Sequence, residues 1–124
     1  MFERGIERLM TYFTGNLTRE EDEVRAELAR QDAKWGEQNH QDGTGGPAFT
    51  AWASAARRMC QRAAADDSVT WQLILDEEVA EAFAEDDPDK LLAELVQVEA
   101  VARQWRMTIR RRLAAQQSGE AATR

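Results

Sequence analysis

An all-α fold follows from three features of the sequence. Apolar residues recur at helical spacing along most of the chain, helix-capping signals punctuate them, and no segment alternates with period two. The expected architecture is a bundle of four to five helices forming one domain over residues 1–113, with residues 114–124 as a disordered tail.

Phe2, Ile6, Leu9, Met10 and Phe13 outline a first helix that stops before Gly15, a residue suited to a C-terminal cap. Thr18 and Glu21 have capping-box spacing and open a second helix, whose apolar stripe is Val24, Leu28 and Trp35. The glycine-rich stretch GEQNHQDGTGGP, residues 36–47, ends it. GTGGP lacks the Gly-Lys-Ser/Thr of a phosphate-binding loop and reads as a lid or connector. Phe49, Trp52, Ala56, Met59, Cys60 and Ala63 stripe a third helix, ending near Asp66 or Asp67. The fourth runs from about Thr70 to Asp86. Asp87 caps the fifth, and Pro88 takes its first position, where a missing N–H costs nothing. Leu91, Leu95, Val98, Ala102, Trp105, Ile109 and Leu113 share one face of that last helix. The short join at Asp86–Pro88 makes helices four and five antiparallel neighbours. Arg110, Arg111 and Arg112 fall near the expected helix end, where cations offset the macrodipole.

The 124 residues suffice for one core. A charge of −7 argues against a nucleic-acid partner, whose phosphates would need a basic footprint. There is no apolar run of transmembrane length. The N-terminal MFERGIERLM has no signal-peptide core, and Cys60 is the sole cysteine, so a reducing cytoplasm is the expected setting. Cys60 lies within an apolar stripe and reads as a packing residue.

The segment LDEEVAEAFAEDD, residues 75–87, carries the chemistry. No basic residue stands between Arg62 and Lys90, so Glu77, Glu78, Glu81 and Glu85 repel one another unrelieved along one helix. Helical geometry puts Glu78, Glu81 and Glu85 on one flank of the core stripe and Glu77 nearer solvent. On the next helix Glu94 lies inside the apolar stripe, between Leu91 and Val98, and Gln97 is one step outward. Across the antiparallel pair, Glu94 can face Glu78 and Glu81. One reading is a solvated acidic face, with Glu94 reaching out to water. The other is a half-buried groove of three carboxylates with no cation beside them, which suits Mg²⁺, a hard ion that takes oxygen ligands.

EEVAE at 77–81, followed by ELVQ at 94–97, resembles the acidic motif of the MazG-like all-α nucleoside triphosphate pyrophosphohydrolases. RQDAKWGEQNH at 30–40, a helix end running into a Trp and then a His, resembles their nucleotide-holding segment. The likeness covers roughly residues 24–106. It implies an all-α NTP pyrophosphatase-like fold, with Glu78, Glu81 and Glu94 as Mg²⁺ ligands and catalytic residues, and with Glu77 as ligand or support. Mn²⁺ is the expected substitute. Gln97 stands where that family has Asp, keeping an oxygen donor but no charge. The substrate implied is a nucleoside triphosphate, cleaved to monophosphate and pyrophosphate. Lys34, Trp35, Gln38 and His40 are its expected contacts, and a homodimer or tetramer the expected assembly. Read without the resemblance, Trp35 serves equally as a core residue and His40 as an exposed loop residue. The competing function is a non-catalytic nucleotide- or partner-binding bundle, with Gln97 marking lost activity.

Overall fold

A computed structural model describes the backbone of residues 2–123 and the side chains of residues 19–120. The fold is all-α: α1 (Phe2–Trp35), α2 (Pro47–Ala65), α3 (Trp71–Ala84) and α4 (Pro88–Thr123), with no strand among the described residues. Two expected helices are therefore one. α1 runs through Gly15 and Thr18 without the expected break. A glycine inside a helix costs about 1 kcal/mol relative to alanine, a penalty that neighbouring turns can absorb. The expected stripe at Phe2, Ile6, Leu9, Met10 and Phe13, like the Thr18 cap, lies outside the described side chains. At the other end α4 remains helical to Thr123, although residues 114–120 are exposed.

The chain divides into two compact units, one of Met1–His40 with Arg110–Arg124 and one of Gln41–Ile109. In the second, α2 begins with Pro47 at the helix start and brings Ala53 and Ala56 against Ala80 of α3. These residues leave no side chain beyond Cβ between the helices. Trp52 and Ala84 close around this seam. Phe83 meets Phe49 and Trp52 edge-on, with ring centroids 5.6 and 5.7 Å away.

Thr70 caps α3, its hydroxyl accepting the Leu73 N–H at 3.2 Å. α3 ends at an extended Glu85, and the Asp87 carboxylate accepts the Asp89 N–H at 3.0 Å to open α4. So short a join turns α4 back along α3 and buries Leu91. The rest of the expected stripe divides. Val98, Ala102, Trp105 and Ile109 are half-buried, but Leu95 and Leu113 are exposed, together with Leu92 and Val96 outside it. Met107, also outside it, is buried.

In the first unit Glu20 is the buried polar residue, accepting a hydrogen bond from Arg110 Nε at 2.8 Å. Arg110 also donates through Nη2 to Glu23. The arginines therefore do not sit at a helix end as expected, because α4 continues beyond them, and Arg110 ties α4 to α1. Leu28 and Trp35, expected in a core stripe, are exposed.

The GTGGP segment is a connector fastened at one point. Gly45 N–H donates to the Phe83 carbonyl at 2.8 Å. Gly45 has φ of 89°, and a Cβ there would come 2.9 Å from Cβ of Asp86. Gly43 has φ of 71° with open space around it. Gly45→Ala should therefore destabilise the fold by about 2 kcal/mol or more, and Gly43→Ala by about 1 kcal/mol, the cost of the left-handed backbone alone. Denaturant unfolding of both variants checks this. Equal losses would remove the role given to the Asp86 contact.

Candidate metal centre

Glu78 and Glu81 are three residues apart on α3, so they share a face; the α3–α4 turn brings Glu94 opposite them. One carboxylate oxygen from each lies within 4.8 Å of the other two. Oε2 of Glu78 and Oε2 of Glu94 are buried and accept no hydrogen bond among the described residues. Buried carboxylate oxygens without donors are costly, a cost that a proton or a bound cation would relieve.

Proton affinities respond accordingly. Burial, then the charges of Glu81, Glu94 and Glu77, push Glu78 above the ordinary carboxylate range. Burial, then the charges of Glu81 and Glu85, do the same to Glu94.

One expectation needs correction. A cation does stand beside the carboxylates: Arg57 Nη2 of α2 donates to Glu81 Oε1 at 3.3 Å. The Glu81 side chain is 22% exposed and that of Arg57 53%, so the pair sits at the mouth of the cluster. Reading α3 and α4 alone misses this residue. The signal for it lies on α2, where Arg57 follows Ala56 of the seam and precedes Cys60 by one turn.

The remaining candidates have separate places. Glu77 is not one of the three clustered carboxylates; it faces Cys60 as well as Glu78. Cys60 donates to the Leu73 carbonyl at 3.1 Å, and burial, followed by Glu77, pushes its thiol up to about 11. Such a thiol is a packing group and not a nucleophile at neutral pH. Glu85 accepts the Asp87 N–H at 3.1 Å in the α3–α4 turn. Gln97, one turn beyond Glu94, is exposed.

Lys34, Trp35 and Gln38 belong to the first unit, where with Glu27, Arg30 and Gln31 they line an open groove of about 440 Å³. Lys34 Nζ lies 4.8 Å from the Trp35 ring centroid. Arg30 is engaged by Glu27, whose carboxyl is held below its usual range by that hydrogen bond and then by Gln31. His40 Nε2 is 3.1 Å from Gln38 Oε1. The structure thus keeps these four expected contacts near one another and presents the Trp35 face to solvent.

Compared with protein-family models, with curated proteins and with solved structures, the chain matches none.

The raised proton affinities fix the sign of a pH effect. A carboxyl whose folded value is raised stabilises the fold below its ordinary value, and that contribution is lost as pH rises through the folded value. In chelator, Glu78 and Glu94 should therefore make stability fall as pH rises above their ordinary 4.5. Denaturant unfolding between about pH 5 and pH 7 should show a shallower fall in Glu94→Gln than in wild type. Equal slopes would mean that Glu94 feels no cluster.

Proposed function

We propose that the chain is a Mg²⁺-dependent nucleoside triphosphate pyrophosphohydrolase, with Mn²⁺ able to replace Mg²⁺. One observation carries this reading: two buried carboxylate oxygens without donors, on facing helices, converge with a third carboxylate. The donor set is all oxygen and predominantly anionic, as a hard divalent ion requires. Glu78, Glu81 and Glu94 would hold it, with Gln97 one turn further along α4 and Glu77 beside Glu78 as support.

When bound, such an ion supplies neutralisation of phosphate charge and a more acidic water. The chain's own part is to orient and to move a proton. The water attacking the α-phosphorus loses a proton as the α–β bridging bond breaks, releasing monophosphate and pyrophosphate. A carboxylate at the edge of the cluster would take it. Within the first unit, Lys34, Trp35, Gln38 and His40 form their own group, in which Trp35 offers an aromatic ring and Lys34 a cation to a nucleotide.

The second reading, a non-catalytic nucleotide- or partner-binding bundle, draws support from Arg57. A carboxylate already paired with arginine is a weaker ligand, and Gln97 brings no charge to offset that loss. A cytoplasmic setting accords with a lone, half-buried thiol, and among the described residues no helix is long and apolar enough to cross a membrane.

Pyrophosphate release from the common ribo- and deoxyribonucleoside triphosphates, with Mg²⁺ or Mn²⁺, separates the two readings. Triphosphate binding without turnover under either metal would establish the second. Thermal melts test the site itself. A divalent ion at a hundredfold excess over Kd stabilises the native state by about 2.7 kcal/mol. Wild type should melt several degrees higher with metal than in chelator. Glu94→Gln should match or exceed wild type in chelator, lose most of the metal response and lose hydrolysis. A wild type indifferent to divalent ions would overturn the metal site and the enzyme together.

We also propose at least a homodimer, because Leu92, Leu95 and Val96 leave an apolar face of α4 in solvent. A strictly monomeric mass at micromolar concentration would rule that out.

A further inference from the structure

We propose that Arg57 is a second working part of the metal site, balancing the third carboxylate and holding the phosphate of the metal-dependent ligand. This inference rests on the metal-site reading above.

The first support is charge. Glu78, Glu81 and Glu94 together carry three negative charges when ionised, and Arg57 returns one positive charge through Glu81, leaving two. That balance matches a single divalent ion. Glu77 and Glu85 are not among the three clustered carboxylates, although their charges still act on Glu78 and Glu94, so the sum covers the cluster and Arg57 alone.

The second support is geometry. A guanidinium has five N–H donors in a planar fork that fits a phosphate edge in two places. Among the described residues Arg57 spends Nη2 on Glu81, and its side chain remains half exposed. Donors remain beyond that one bond, on a half-exposed side chain beside the cluster, for an anion bridging to the metal to meet. Glu81 holds the guanidinium in place, which spares the ligand the cost of ordering a long side chain.

The two roles oppose each other, and that opposition is the test. Removing the charge relieves competition for Glu81 but deprives the phosphate of its clamp. Calorimetric titration of the full chain with Mn²⁺ alone, then with inorganic tripolyphosphate at saturating Mn²⁺, reads both roles. Arg57→Gln should bind Mn²⁺ about tenfold more tightly and tripolyphosphate about tenfold more weakly than wild type. Arg57→Lys keeps the charge without the fork. It should restore wild-type Mn²⁺ affinity and leave tripolyphosphate binding impaired. Wild type should take up one Mn²⁺ per chain.

Arg57→Gln leaving both affinities within about twofold of wild type, or weakening Mn²⁺ binding, would overturn the proposal while leaving the metal site intact. Tighter Mn²⁺ with unchanged tripolyphosphate would reduce Arg57 to a counter-ion and overturn its phosphate role. A wild type that binds no Mn²⁺ would overturn the metal-site reading first, a different and recognisable failure.

Discussion

Ala53 and Ala56 of α2 pack against Ala80 of α3, and this seam of small residues positions the chemistry of the second unit. Side chains of one carbon let two helix backbones approach, so groups beside the seam meet at short range. Arg57, next to Ala56, reaches Glu81, next to Ala80. One turn on, Cys60 reaches the Leu73 carbonyl. A larger residue at position 80 would have to separate the helices and draw Arg57 away from the carboxylates. Overpacking of this kind typically costs 1–3 kcal/mol in stability. Here it would cost the electrostatics of the cluster as well.

Those electrostatics set repulsion against covalent connection. The three-residue turn between α3 and α4 leaves Glu94 little freedom to avoid Glu78 and Glu81. Water cannot relieve the strain fully, because Oε2 of Glu78 and Oε2 of Glu94 are buried. Arg57 answers only one of the three carboxylates. The protein can take up a proton, which the raised affinities of Glu78 and Glu94 express, or it can take up a cation. At neutral pH a divalent ion answers more charge than a proton does. Groups that weaken the resting fold in this way are characteristic of a working site.

How far the sequence discloses this depends on which rule governs each residue. Glu78, Glu81 and Glu94 could be placed together because helical spacing and a two- or three-residue join leave few alternatives. The cap at Asp87 was legible for the same reason: its partner lies two residues on. Rules that weigh a local cost against distant gains did worse. Gly15 carries a stop signal, yet α1 passes through it, since a penalty near 1 kcal/mol does not end a 34-residue helix. The exposure of Trp35, Leu28 and Leu95 was not legible, because periodicity shows which side chains share a face and not what covers it. Arg57 was missed because its partner is 24 residues away and its packing rests on alanines, which give a weak apolar signal.

Arg57 also bears on how a chain of charge −7 could accommodate a polyanion. Net charge acts at long range and is screened within roughly 10 Å in physiological salt, whereas binding is decided by the groups in contact. At the cluster the local charge is set by the carboxylates, by Arg57 and by any divalent ion they hold. With such an ion in place, the sum over the three clustered carboxylates and Arg57 is zero, and the Arg57 side chain is half exposed. An approaching phosphate would then meet a neutral site edged with N–H groups and not an acidic wall. An acidic protein surface is therefore compatible with phosphate chemistry, provided that metal and arginine act at the same place.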